Sequence, residues 1–316
     1  MRKIVVIGEI LVEIMADTQG EGFMSTQALT GPFPSGAPAI FIDQVARLGQ
    51  PCAIISSVGD DDFGRINLQR LAGDGVDISA VAISPDRPTG TAFVRYRPSG
   101  SRDFVFNIRH SACGLIPKGP AVAEVLRSAG HLHIMGSSLS SRDLVDLNLA
   151  AAREVKGRGG SISFDPNLRK EILDSPGMRD AMDAVLAMTD LFLPSGDEIM
   201  LLTHGRTAED AAKELLRRGV KAVVHKLGAR GVRYFDGQST LFIPPFSVEE
   251  LDPTGAGDCF GAAFTTFWLR GLDPEKALVL ASAAGALAVT KRGPMEGASD
   301  LDTLIRFAAT QPRRRV

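Results

Sequence analysis

The chain has 316 residues, 35 Lys and Arg against 37 Asp and Glu, a net charge of -2 and 44% hydrophobic residues. A near-balanced charge excludes the basic footprint of a nucleic-acid or anionic-membrane binder, and the length suffices for one large core with a subdomain. Cys52, Cys113 and Cys259 are too few and too widely spaced for a disulfide framework or a structural zinc site, and the five scattered histidines add no metal-ligand spacing.

Taken in chain order, Lys3 to Ile7 reads as a buried strand, Ala37 to Leu48 as a helix, Ala53 to Val58 as a strand, and Phe63 to Ala72 as a helix closed by Gly73 and Gly75. Thr91 to Tyr96 and Arg102 to Ile108 alternate apolar and polar residues around Pro98-Ser99-Gly100-Ser101, the pattern of an exposed hairpin. Strands then follow at His131 to Met135, Ser161 to Phe164, Leu191 to Leu193 and Ala222 to Lys226, separated by helices at Leu144 to Val155, Met178 to Met188 and Ala208 to Arg217. A second hairpin (Val232 to Phe235, Thr240 to Ile243) precedes helices through Leu269, from Pro274 to Thr290 behind an Asp273 cap, and from Leu301 to Ala309. This alternation predicts an α/β fold, doubly wound, with a mainly parallel sheet covered by helices on both faces. His131 and His133 alternate along an apolar run, which fits one face of a strand better than a ligand pair. No apolar stretch reaches bilayer length and the first strand begins at Lys3, so no signal peptide is expected and the expected compartment is the cytoplasm, with no membrane or nucleic-acid partner.

The most informative run is Asp252-Pro253-Thr254-Gly255-Ala256-Gly257-Asp258-Cys259-Phe260. Gly255, Ala256 and Gly257 can present backbone N–H groups without side-chain obstruction, and the apolar segment after them reads as a helix whose N-terminus attracts anions. Asp258 is a poor phosphate ligand by charge. A carboxylate in an anion-binding turn suits a general base, taking the proton from a hydroxyl that attacks the phosphoryl group held there. The plainer reading is an Asp capping a helix after a glycine turn. Other unusual residues fall at predicted strand ends, in Phe164-Asp165-Pro166-Asn167-Leu168-Arg169, Pro194-Ser195-Gly196-Asp197-Glu198 and Lys226-Leu227-Gly228-Ala229-Arg230-Gly231, so one edge of the sheet should carry the chemistry.

Together these segments resemble the ribokinase-like (PfkB) carbohydrate kinase family over nearly the whole chain, with the nine-residue run as the specific match. The resemblance implies a single ribokinase-like domain over residues 1–316 with a β-sheet lid formed mainly by about 11–34 and 88–112. It also implies Asp258 as catalytic base, an anion hole from Gly255, Ala256 and Gly257, and ATP as co-substrate. Lys226, Gly228 and Gly231, with Gly255 and Gly257, match the nucleotide site. Glu198 remains where the family has Asn-x-x-Glu, with Ser195 in place of Asn, and would hold Mg2+ through water. Asp252 and Thr254 stand near a K+ site.

Glu13, Gly36, Asn107, Arg109, Arg169 and Asp258 match the sugar-binding positions, with Asp165 and Asn167 beside Arg169. The first signature is altered: Ser35-Gly36-Ala37-Pro38-Ala39-Ile40 replaces Gly-Gly-(x)3-Asn. Glu13 stands where Asp is common, and Asn107 where 2-keto-3-deoxygluconate kinases carry Tyr. These changes point to a neutral ketohexose such as tagatose or fructose, with a repacked helix face as the plainer reading of Ile40. A homodimer joined through the lid is expected. The alternatives are a sugar-acid or nucleoside kinase, and a non-catalytic sugar or nucleotide sensor. A nicotinamide dehydrogenase would need G-x-G-x-x-G after the first strand, where Ile7-Gly8-Glu9-Ile10 offers none.

Overall fold

A computed structural model describes residues 1–99, 101–115, 119–168 and 177–314. Its large sheet is built from β1 (Lys3–Ile7), β4 (Cys52–Gly59), β5 (Val81–Ser84), β8 (Ala129–Met135), β9 (Ser161–Asp165), β10 (Leu191–Phe192), β11 (Ala222–Lys226), β12 (Val232–Asp236) and β13 (Thr240–Ile243). The order is β13-β12-β11-β10-β9-β8-β1-β4-β5. Pairing is parallel from β5 through to β11 and antiparallel only between β11, β12 and β13. The apolar runs of β1 and β4 are buried nearly throughout, as strands covered on both faces must be. Strand order reverses at β1, between β4 and β8, which opens a crevice at the carboxyl ends of these strands.

The α-helices among the described residues are α1 (Ala37–Arg47), α2 (Asp62–Gly73), α3 (Pro120–Ser128), α4 (Arg142–Gly157), α5 (Met178–Leu186), α6 (Glu198–Leu201), α7 (Ala208–Arg217), α8 (Ala256–Leu269), α9 (Pro274–Ala288) and α10 (Leu301–Thr310). One core cluster joins α1, α8 and α9 to one face of the large sheet, and a second joins α3, α4, α5 and α7 to the other. Caps follow the sequence: Asp61 accepts from Gly64 N–H at the start of α2, and Asp273 from Lys276 N–H at the start of α9. α9 stops at Ala288, short of the expected Thr290. The Val289 carbonyl instead accepts the amides of Leu251 and Asp252, which ties the end of α9 to the glycine turn.

A separate sheet comprises β3 (Leu29–Ser35), β2 (Leu11–Ala16), β6 (Gly90–Tyr96) and β7 (Arg102–Asn107), in that order. Glu13 stands opposite Ala92, and Ala92 opposite Phe106. By the two-residue period of a strand, Glu13, Ala92, Val94 and Tyr96 share one face of this sheet. Val12, Thr91 and Asn107 share the other.

Candidate active site

Glycine at position 255 is required twice over: its φ is +79°, and a Cβ there would lie 2.3 Å from the Pro294 carbonyl oxygen. The turn delivers the chain into α8 with no side chain capping the helix; the Ala256 amide reaches the Pro253 carbonyl only at 3.5 Å, so the helix start can meet an anion. Asp258 sits in the first turn of α8, partly enclosed, with Asn167 Nδ2 3.5 Å from its Oδ1. Asn167 adopts a left-handed conformation, φ +41°, which asparagine tolerates better than most residues.

Four further charged groups surround that carboxyl. Lys226, the last residue of β11, forms an ion pair with Asp165, the last residue of β9, and both side chains are nearly buried. The Lys226 Nζ is 3.7 Å from where a Cβ on Gly257 would stand, so the ammonium lies beside the anion-binding turn. Burial opposes the charge on Lys226, but Asp165, Glu198 and Asp258 carry its pKa above the ordinary value and keep it protonated. Glu9 and Glu13 approach from the other side; Ser35 Oγ donates to Glu13 Oε1 at 3.2 Å and Ser138 Oγ to Glu9 Oε2 at 3.4 Å. Loss of water raises the Asp258 pKa to about 7; Asp165 adds to the rise, Lys226 opposes it, and Glu9 and Glu13 add further.

The structure thus brings Asp258, Gly255, Ala256, Gly257, Glu13, Lys226 and Asp165 to one end of the sheet. Gly36, φ +109°, is held beneath them, where a Cβ would be 2.5 Å from the Glu9 carbonyl oxygen. Other candidates lie elsewhere. Asn107 donates to Thr91 Oγ1 at 3.3 Å on the face of the small sheet opposite Glu13, and Arg109 is exposed beyond the end of β7. Strand alternation turns Asn107 away from the face that carries Glu13. Ile40 is 2% exposed, with its Cγ2 3.2 Å from a Cβ built on Gly255, so it packs behind the turn as the repacked-helix reading requires. Gly228 (φ +58°) and Gly231 (φ +97°) shape the loop after β11; a Cβ on Gly231 would also lie 2.3 Å from the Ile243 carbonyl oxygen. Arg169 lies outside the described residues.

Glu198 receives amide N–H groups from Leu168 (2.7 Å) and Ser195 (2.6 Å), which leaves acceptor capacity on both oxygens. Burial and then Asp165 push its pKa up. Among the described residues no cluster of three or more His, Cys, Asp or Glu side chains is placed to hold a metal. One carboxylate next to an anion-binding turn fits Mg2+, which keeps several waters and takes other ligands from phosphate. Asp252 and Thr254 are different. Asp252 accepts from the Tyr96 hydroxyl, from Thr254 N–H (2.9 Å) and from Gly293 N–H (2.9 Å), and Thr254 Oγ1 accepts from Arg102 Nη1 at 3.2 Å. Each oxygen of Asp252 and the Thr254 hydroxyl thus already has a hydrogen-bond partner. Neither Tyr96 nor Arg102 stands out in the sequence as a site residue, because both come from the small sheet and meet the turn only in the folded chain.

Comparison with known proteins bears on the family and the fold. The family description "pfkB family carbohydrate kinase" matches residues 1–301. The 2-dehydro-3-deoxygluconokinase of Thermoproteus tenax is 32% identical over 302 residues, spanning 94% of this chain and 91% of that protein. An E. coli structure provisionally named Ribokinase II, in complex with ATP and Mg2+, has a TM-score of 0.92 at 50% identity and covers 98% of this chain and 99% of that one. A double mutant of the Vibrio cholerae O395 fructokinase, in a form with fructose, ADP and potassium ion bound, has a TM-score of 0.84 at 27% identity, covering 98% of each chain.

Proposed function

The chain belongs to the pfkB family of carbohydrate kinases, and from that premise we propose that it transfers the γ-phosphoryl group of ATP to a primary hydroxyl of a neutral ketohexose such as tagatose or fructose. The observation that carries this reading is the placement of Asp258 in the first turn of α8, behind an uncapped glycine turn and beside Lys226. A sugar hydroxyl between Asp258 and the turn gives its proton to the Asp258 carboxylate as its oxygen attacks the γ-phosphorus in line and the bond to the bridging oxygen breaks, releasing ADP. The turn amides and the Lys226 ammonium face the oxygens on which charge accumulates. Glu198 would hold Mg2+ through water, and the ion would supply further neutralisation of phosphate charge.

A neutral sugar is favoured because Glu9 and Glu13 place negative charge at the acceptor end, close enough to raise the Asp258 pKa, while Arg109 is exposed. A sugar acid is the second reading, favoured by the Thermoproteus tenax relative. The small sheet would act as the lid that excludes water from the transfer. Its β7 edge, with Val105 46% and Phe106 38% exposed, is the surface on which a second copy would dock to form a homodimer. Among the described residues no helix is long and apolar enough to cross a membrane.

The test is ADP release with Mg-ATP against a panel of ketohexoses, aldohexoses, nucleosides and sugar acids. The expected result is turnover of a ketohexose at least about tenfold above the rest in kcat/KM. Preference for a sugar acid or nucleoside would replace the substrate assignment. Absence of turnover in a chain that binds ATP would favour a sensor.

A further inference from the structure

The segment before the anion-binding turn is held from the small sheet. Tyr96, the last residue of β6, donates its hydroxyl to Asp252 Oδ1, and its oxygen lies 3.2 Å from Thr254 Oγ1. Arg102, the first residue of β7, donates from Nη1 to that same Thr254 oxygen. Asp252 in turn binds Thr254 N–H through Oδ1 and Gly293 N–H through Oδ2. The chain of donors and acceptors therefore runs from Arg102 through Thr254, the residue before Gly255, and Tyr96 to Asp252.

Both oxygens of Asp252 and the hydroxyl of Thr254 are engaged, and a guanidinium already supplies positive charge at the place where the family resemblance puts a monovalent cation. A potassium ion shared by Asp252 Oδ1 and Thr254 Oγ1 would have to displace the Tyr96 hydroxyl that bridges them and sit against Arg102, which like-charge repulsion opposes. Burial and the neighbouring Asp252 push the Tyr96 pKa up, so its hydroxyl remains a proton donor across the working pH range. On these contacts we propose that Tyr96 and Arg102 are positioning residues that fix the anion-binding turn from the small sheet and take the place of a monovalent cation there. The turn is then in its working position only while the small sheet is docked.

The proposal rests on the kinase reading for its kinetic arm alone. Turnover is compared in potassium, sodium and tetramethylammonium chloride at equal ionic strength. The wild type is expected to give the same kcat in all three within about twofold, whereas Tyr96→Phe and Arg102→Met lower kcat about ten- to hundredfold while KM for ATP moves less than about threefold. Arg102→Met should gain a response to potassium, and Arg102→Lys should recover most of the lost kcat. Wild-type kcat raised more than about tenfold by potassium, or a Tyr96→Phe enzyme with undiminished kcat, overturns the proposal. A second arm needs no turnover: amide hydrogen exchange of residues 253–258 should quicken in Tyr96→Phe and Arg102→Met and should not change with potassium in the wild type. Unchanged exchange in both variants, or slowing by potassium in the wild type, also overturns it. A chain that turned over no sugar would refute the kinase reading and leave this arm to decide the role of Tyr96 and Arg102.

Discussion

Asp258 has to be deprotonated to act as a base, yet its surroundings favour the proton. With its pKa raised to about 7, chiefly by burial, the free enzyme should show kcat/KM rising with pH through about 7. An acidic limb near the ordinary carboxylate range, around 4, would contradict this environment for Asp258. The same shift has a cost in stability. A group whose folded pKa is raised stabilises the fold at low pH, and that contribution disappears as pH rises from 3.8 through about 7. Asp258→Asn, which carries no charge at any pH, should therefore melt above the wild type at pH 8, by less at pH 5, and close to it only below about pH 4; a lower melting temperature at pH 8 would contradict the account. Asp258 and the glycines were legible in the sequence because their chemistry lies within a few consecutive residues. Tyr96 and Arg102 were not, since they meet Asp252 and Thr254 across 156 and 152 positions. Asn107 looked eligible by position alone, and only the β6–β7 register shows which face it takes.

At the scale of elements, the turn and the strand ends depend on backbone that side chains exclude. Gly231→Ala puts a Cβ 2.3 Å from the Ile243 carbonyl at a φ of +97°, and should lower stability by about 1 to 3 kcal/mol in urea unfolding, more if β13 cannot yield. A midpoint equal to wild type would show that the hairpin shifts freely. β8 and β9 share a second polar element. His131 bonds to Ser161 Oγ (2.8 Å) and Ser163 Oγ (2.7 Å), His133 bonds to Ser163 Oγ (2.7 Å), and Phe41 stacks on His133 with centroids 3.7 Å apart. Burial holds both rings neutral, His131 with its pKa lowered to about 3. The unfolded chain takes up those protons first, so stability should fall as pH drops below about 6.5, and His131→Gln should flatten part of that slope; an unaltered slope would count against it. The alternation of His131 and His133 was readable as one strand face. Elements with weak patterns were harder: β5 is four residues long with an intermediate-to-exposed pattern, β3 contains Pro32 and Pro34 as an edge strand can, and α3 is short.

Over the whole molecule, alternating strands and helices announced the doubly wound sheet, because each buried strand reads as a continuous apolar run and each helix as a periodic one. The docking of the small sheet on the glycine turn could not be read that way, since it rests on contacts between elements rather than on any pattern within one. Light scattering at micromolar concentration should give the mass of a dimer, and Val105→Lys should reduce it to a monomer; a monomeric wild type would remove the proposed pairing through β7. The central claim is that Asp258 accepts the proton in transfer to a sugar hydroxyl. Its most direct test sets ADP release by Asp258→Asn at saturating sugar beside calorimetric binding of Mg-ATP to the same variant. Loss of about a hundred- to ten-thousandfold in kcat with ATP affinity held within about threefold is the predicted result. A variant that binds ATP normally and turns over at a rate close to wild type would show that another group takes the proton.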